Sequence, residues 1–194
     1  MNKLNRESLY SLEKYAEIRN DFKKQVMIHK KDRRLPVGPH ATLYFEDRLT
    51  IQYQVQEMLR IEKIFEASEI QEELDTYNPL IPDGSNWKAT FMIEYEDESE
   101  RRKALSRLLH IETSVWMQVE NHDRITPIAN EDLERVTEEK TSAVHFLRFE
   151  LSDEMITGLK EGASLSAGIE HDLYRYSVIP VPDNVRQSLL QDLD

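Results

Sequence analysis

The first third of the chain has apolar residues at helical spacing. Leu9, Leu12, Tyr15 and Ala16 predict the inner side of a helix, with Ser8 or a neighbour as its N-cap. The segment 35–39, with two prolines and a glycine, ends that helical region. A longer pattern over Leu49–Ile70 predicts a second helix. Its apolar arc consists of Ile51, Val55, Met58, Leu59, Ile61 and Phe65.

Elsewhere the apolar residues recur with a period of two, which predicts strands. The predicted strands are His40–Glu46, Lys88–Tyr95, Ser114–Glu120, Ser142–Leu151, Ser164–His171 and Leu173–Val181. The predicted later helices are Ser99–Leu109, Asn130–Glu139, Ser152–Glu161 and Asp183–Leu193, with Asn130, Ser152 and Asp183 as N-caps. One-sided alternation is typical of a sheet that is covered on one face. The sequence therefore predicts an α+β fold in a single domain over residues 1–194. A helical N-terminal third precedes a mostly antiparallel sheet of about five or six strands with covering helices.

Charge limits the partners that the protein can have. A net charge of −12 over 194 residues repels nucleic acid and anionic membranes, so we expect neither as a partner. The exception is a basic patch, for which a solvated helix side is the simplest explanation. It consists of Lys23, Lys24, Lys30, Lys31, Arg33 and Arg34. The chain has no apolar stretch of about 18–20 residues and no signal-peptide core, so a cytoplasmic location is expected.

The residue inventory excludes several kinds of site. With no cysteine, the chain cannot hold an iron–sulphur cluster, a thiolate zinc site, a disulfide or a cysteine nucleophile. Its five glycines form neither a dinucleotide fingerprint nor a phosphate-binding loop. Gly162-Ala-Ser164 is similar to the start of a nucleophile elbow, but Ser166 stands where that motif needs a glycine.

Two polar residues fall on predicted apolar faces. Glu62 lies near the centre of the apolar arc of the second helix, and His145 lies on the apolar side of its strand. A buried carboxylate needs a cation, a metal or strong donors, or it becomes protonated. If the two groups meet, they form half of a site for iron, manganese or zinc, which accept nitrogen and oxygen ligands. The candidates for further ligands are His40, Glu57, Glu66 and Glu94.

A structural explanation of the same residues stays open. An arginine such as Arg48, Arg60 or Arg148 would then neutralise Glu62, and His145 would donate to a backbone carbonyl in the core. Trp116 falls on the polar face of its strand, which is typical of either a partner surface or an amphipathic indole at a sheet edge.

Four segments of the sequence resemble one known family. They are Gly38–Glu46 (GPHATLYFE), Ile51–Glu62 (IQYQVQEMLRIE), Tyr77–Asn86 (YNPLIPDGSN) and Thr141–Glu150 (TSAVHFLRFE). These runs are similar to the bacterial domain-of-unknown-function family numbered three-five-zero-one, and the likeness covers nearly the whole chain. The resemblance implies no activity. It implies a genomic context that includes a rubrerythrin-like di-iron protein and an iron–sulphur oxidoreductase. The motif residues to mutate first are His40, Gln54, Glu57, Arg60, Glu62, Asp83, His145 and Arg148.

Two hypotheses for the function follow. In the first, the protein is a non-catalytic accessory that binds a rubrerythrin-like protein or an iron–sulphur oxidoreductase. Its surface would include the loop 77–86 and the basic patch, which suit an acidic partner. In the second, it is a small non-haem metalloprotein or metalloenzyme that uses Glu62 and His145 to bind a metal. The sequence leaves the formation of a homo-oligomer open.

Overall fold

The computed structural model of the chain describes residues 3–131, 135–137 and 139–194. The helices of this part are α1 (Leu12–Lys31), α2 (Arg48–Glu62), α3 (Ala67–Tyr77), α4 (Glu98–Arg107), α5 (Asp153–Lys160) and α6 (Asp183–Leu190). Its strands are β1 (Arg34–Pro36), β2 (Ala41–Glu46), β3 (Asn86–Ile93), β4 (Val115–Val119), β5 (Arg124–Ile125), β6 (Ile128–Ala129), β7 (Val144–Glu150), β8 (Leu165–His171) and β9 (Tyr174–Val178). Among these residues, no helix is both long and apolar enough to cross a bilayer.

The strands form two antiparallel sheets. The five-stranded sheet has the order β1-β2-β3-β7-β6, and the four-stranded sheet has the order β5-β4-β8-β9. One cluster of buried apolar side chains joins them: Leu43, Phe91 and Phe149 come from the first sheet, and Met117 and Ile169 come from the second. The predicted α+β class is confirmed, and the strands divide between two sheets that share this core.

Helices α1 and α2 lie over the other face of the five-stranded sheet. Arg19 of α1 pairs with Glu57 near the end of α2, and His29 near the end of α1 pairs with Asp47, the N-cap of α2. The two helices therefore run in opposite directions. This helical layer has its own small apolar clusters, one of which includes Ile51.

Helix α2 ends earlier than the sequence predicts. The Thr50 amide donates a hydrogen bond to the Asp47 carboxylate and the Asp47 amide donates one to the Thr50 hydroxyl, which begins the helix. Lys63 ends it in the left-handed conformation with φ of 57°. A separate helix, α3, follows. Ile61, in the last turn of α2, is 60% exposed, and Phe65, which lies between α2 and α3, is 72% exposed.

Other predicted boundaries differ in detail. The N-cap of α1 is Ser11 and that of α6 is Pro182, whereas Ser152 caps α5 as predicted. The predicted helix 130–139 lies partly outside the described residues, which exclude 132–134 and 138. In its described part, Val136 forms an isolated β-bridge with Thr141, so that part is not helical.

Candidate binding groove

The outward face of the five-stranded sheet carries a regular grid of side chains. The strand registers place three rows across β2, β3 and β7: Glu46–Lys88–Arg148, Tyr44–Thr90–Phe146 and Thr42–Met92–Val144. Because alternate residues of a strand point to opposite faces, these nine residues share the face that lies opposite the common core. They form the floor of a groove between the sheet and the helical layer, which we call the binding groove.

The binding groove is continuous. Its middle cavity, of about 710 Å³, lies between the sheet and the helices α1, α2 and α3. A cavity of about 810 Å³ at one end shares Arg34, Met92 and Val144 with it. A cavity of about 580 Å³ at the other end shares Tyr77, Leu80 and Phe146. All four segments that carry the family resemblance contribute residues to this lining.

Two carboxylates are fixed in the floor and at its edge. Glu46 accepts hydrogen bonds from the hydroxyls of Thr50 (2.6 Å) and Thr90 (2.7 Å). Glu94 accepts from Thr42 (2.7 Å) and from Tyr44 (3.0 Å). Burial and the hydrogen bond to Glu94 raise the pKa of Tyr44, so its hydroxyl stays a donor at neutral pH. The polar groups of the floor are thus held in place before anything binds.

Both cations and carboxylates line the end of the groove near α3: Lys88 and Arg148 lie there together with Asp75 and Glu131. The Lys88 ammonium donates to the carbonyl oxygens of Pro79 (2.7 Å) and Ile81 (3.0 Å), which fixes it against the loop 78–81. Burial and the nearby charge of Lys3 lower the pKa of Lys88. Next to it, Arg148 makes ion pairs with Glu131 and with Glu150. This end therefore has ordered cations beside the apolar ring of Phe146.

The predicted burial of Glu62 is wrong. Glu62 is the last residue of α2 and is exposed, and together with burial its charge raises the pKa of Glu73 on α3. None of the suggested arginines neutralises it: Arg60 pairs with Glu57, Arg148 with Glu131 and Glu150, and Arg48 donates to Ser8.

The predicted inward position of His145 is confirmed, since its side chain has no exposed surface. Its Nδ1 is 3.0 Å from the side-chain amide nitrogen of Asn130. Its Nε2 is 3.0 Å from both the backbone carbonyl oxygen of Ser142 and the hydroxyl of Thr141. Burial lowers the pKa of His145, against the opposing effect of Glu112, whose Oε2 is 3.8 Å from Nε2. A neutral ring that donates from Nε2 to Ser142 and accepts at Nδ1 satisfies these contacts.

The remaining predicted site residues lie in separate places. Glu57 binds Arg19 through two hydrogen bonds of 2.8 Å and also accepts from Tyr15, so it connects α1 to α2. His40 stacks on Tyr95 with ring centroids 3.9 Å apart and lines one end of the groove. Asp83 is exposed on the loop before β3.

These positions do not fit the predicted metal site. Both ring nitrogens of His145 already have partners, and Glu62 is exposed at the C-terminal end of α2. Across residues 3–131, 135–137 and 139–194, no three His, Asp or Glu side chains are grouped so that they could hold a metal ion.

The predicted basic patch divides into three parts. Lys30, Lys31 and Arg34 line the middle of the binding groove. Lys23 and Lys24 are exposed on α1 and do not line it. Arg33 is only 2% exposed, because it binds Asp192 (2.5 Å) and the carbonyl oxygens of Phe45 and Glu46.

Trp116 is also more buried than its alternation predicts, with 5% exposure. Its indole packs on Gly168, where a Cβ would clash with the ring, and the Arg124 guanidinium lies 4.1 Å from the ring centroid on this side of the sheet. The indole thus covers the outer face of the four-stranded sheet.

Comparison with known proteins connects these features to a family. A family model described as protein of unknown function (DUF3501) matches residues 3–193. The chain belongs to the DUF3501 family. It is similar to a novel protein of unknown function from Burkholderia pseudomallei K96243, whose crystal structure was determined at 1.90 Å resolution. The two chains are 52% identical over 100% of each, with a TM-score of 0.94. No curated protein matches this DUF3501 chain.

Sequence reasoning missed most of the groove. The alternation of apolar and polar residues predicts the inward side chains of β2, β3 and β7 correctly. It also predicts that the outward side chains of these strands face solvent. The outward set nevertheless includes Tyr44, Met92 and Phe146, which are more apolar than a solvated sheet face requires. That excess was the available signal for a second covered surface.

Proposed function

We propose that this protein is a non-catalytic accessory protein that binds an extended segment of a partner protein in the binding groove. The observation that carries the proposal is the continuity of the groove: three neighbouring cavities share lining residues across one sheet face. A long open groove suits an extended chain better than a compact small molecule, which is usually enclosed on most sides.

Charge favours an acidic segment in the middle of the groove. Lys30, Lys31 and Arg34 line this part against a single carboxylate, that of Glu46. The chain as a whole has a net charge of −12, so this local excess of positive charge is opposite in sign to the overall charge. Complementary charge would speed the encounter with an acidic partner and set its orientation.

The order of the groove floor supports binding. Hydroxyl groups already hold Glu46 and Glu94, and backbone carbonyls hold Lys88. A floor that is fixed beforehand loses little side-chain entropy when a partner binds. The apolar residues Tyr44, Met92, Val144 and Phe146 would supply buried area between these polar anchors.

The family resemblance supplies the candidate partners. We propose that the bound segment belongs to a rubrerythrin-like di-iron protein or to an iron–sulphur oxidoreductase, and that the complex forms in the cytoplasm. In this role the protein contributes a surface and no redox centre of its own.

Affinity capture from the native host tests this proposal. The wild-type chain should recover one of these redox proteins, identified by mass spectrometry. The double variant Lys30→Glu/Lys31→Glu should recover at least about tenfold less, because it reverses two charges in the middle of the groove. The matched control is Lys23→Glu/Lys24→Glu, which makes the same charge change on the same helix outside the groove. If the two double variants recover equal amounts of the redox partner, the result would contradict the groove as the binding site of that partner.

A further inference from the structure

Strand β9 is an open edge of the four-stranded sheet. Over the described residues, it is the one edge strand longer than three residues: β1 has three, and β5 and β6 have two each. In the same part of the chain, no backbone hydrogen bond of Tyr174–Val178 is found beyond the pairing with β8. Unpaired backbone groups along a sheet edge favour pairing with another strand.

Exposed apolar side chains accompany this edge. Leu173 is 55% exposed, Tyr176 45% and Ile179 69%. They lie at intervals of three residues, with Tyr176 at the centre. A soluble monomer has no need to display three large apolar side chains beside an open strand edge, and such a display is typical of an interface.

We propose that two copies of the chain form a homodimer by antiparallel pairing of β9 with β9, with the twofold axis at Tyr176. In this register Tyr176 faces Tyr176 of the second copy, and Leu173 faces Ile179 of the second copy on both sides of the axis. Tyr176 then has an apolar cross-strand neighbour, while Leu173, in the turn before β9, lies toward Ile179, which directly follows the strand of the second copy. The order of residues 173–179 is thus self-complementary, as a twofold interface requires.

Backbone geometry is compatible with this register. Strands β8 and β9 are joined by the two-residue turn Asp172-Leu173, with His171 opposite Tyr174. In such a hairpin the two residues that flank the turn, here His171 and Tyr174, exchange backbone hydrogen bonds. Because the backbone groups of successive residues point to opposite sides of a strand, the amides of Arg175 and Ser177 then point toward the open edge. The proposed register places Arg175 opposite Ser177 of the second copy, which allows these groups to exchange hydrogen bonds. A register centred on Arg175 would instead oppose two like charges.

Charge does not prevent two copies from meeting here. Arg175 pairs with Asp172 and Arg124 pairs with Glu170, so the charged side chains beside the edge neutralise one another. The strong negative charge of the chain is therefore located elsewhere, and the repulsion between two copies is small at this surface. The floor of the binding groove lies on the other sheet, although the Tyr176 ring packs over Gly38, next to Pro39 and His40 at one end of the groove. The argument for the dimer uses no groove residue, so it does not depend on the proposed function.

Light scattering after size-exclusion chromatography tests the dimer. The wild-type protein should have about twice the chain mass of 22.9 kDa. Ile179→Lys should shift it toward the monomer by at least about tenfold in dissociation constant, because it places a charge opposite Leu173. Ser177→Pro should do the same by removing an outward amide. The control is Ile28→Lys, which changes another exposed apolar residue, 65% exposed on α1.

Circular dichroism of each variant separates loss of pairing from loss of folding. The proposal requires both edge variants to stay folded and become monomeric while Ile28→Lys stays dimeric. A wild-type monomer at every concentration up to about 100 μM would overturn it, since specific dimers bind more tightly than that. A dimer that both folded edge variants retain would overturn it as well.

Discussion

The buried ion-pair network around Arg33 gives the sharpest prediction about stability. Arg33 connects three parts of the fold: it donates to backbone carbonyls at the end of β2, and it makes ion pairs with Asp47 at the start of α2 (3.4 Å) and Asp192 after α6 (2.5 Å). Its side chain and that of Asp192 are almost fully buried. We expect Arg33→Met to lower the free energy of unfolding by about 3–5 kcal/mol at pH 7.5, because it leaves the buried carboxylate of Asp192 without its cation and removes one of the two cations that pair with Asp47.

The cost of this variant should depend on pH. Burial raises the pKa of Asp192 from 3.8 to about 6, although Arg33 opposes the rise. The contribution of Asp192 to stability is therefore complete below its unfolded pKa and is lost as the pH rises through about 6. Without Arg33 the pKa rises further, and a protonated Asp192 needs no cation. The cost of Arg33→Met should thus be smaller at pH 5 by roughly 1–2 kcal/mol, since one pKa unit corresponds to about 1.4 kcal/mol.

Urea denaturation at pH 7.5 and pH 5 measures these differences. The double variant Arg33→Met/Asp192→Asn should recover at least about half of the loss at pH 7.5, because it removes a buried charge whose cation is gone. If Arg33→Met costs less than about 1 kcal/mol at pH 7.5, or costs the same at both pH values, the network does not have the energetic role that its burial and pairing predict.

Three further variants test separate parts of the structure. Glu57→Gln should lower the free energy of unfolding, measured by urea denaturation at pH 7, by about 1–2 kcal/mol, because the variant loses the charge-assisted hydrogen bonds from Arg19. The hydrogen bonds from Arg19 lower the pKa of Glu57 from 4.5 to about 2 in the folded protein, so the stability advantage of the wild type over the variant should disappear as the pH falls through this range. Equal stability of the two proteins at pH 7 would contradict the ion pair. Gly168→Ala should cost about 1–3 kcal/mol by overpacking against Trp116, and an unchanged melting temperature would disprove that contact. Glu62→Gln should change stability by less than about 0.5 kcal/mol and leave the metal content unchanged by mass spectrometry, whereas loss of a stoichiometric metal would restore the metalloprotein hypothesis.

Local patterns account for the parts of the fold that were predicted correctly. The strand of His145 has one buried face, so its period of two identified the inward side chains without knowledge of the neighbouring strands. Ser152 could be recognised as an N-cap because its hydroxyl accepts from the Met155 amide within one turn. The division of the strands into two sheets depends on pairings between distant segments, which no local pattern specifies.

The error at Glu62 has a specific physical cause. The predicted arc assumed one helix over Leu49–Ile70, but Lys63 ends α2 in a left-handed conformation. Glycine or asparagine usually marks such an end, and lysine gives no signal for it. Because α2 ends at Glu62, Ile61 and Glu62 lie in its last turn, beyond Leu59, the last buried residue of the helix. Phe65 lies outside the helix, where the 100° periodicity does not apply.

Hydrogen–deuterium exchange of the protein with its captured partner tests the binding groove most directly. We expect slower exchange in the segments that line the groove: 42–46, 77–81 and 144–148, together with the end of α1 near Lys30. The outer face of the four-stranded sheet around Trp116 should exchange as it does in the free protein. Protection confined to that face, with the groove segments unchanged, would contradict the account.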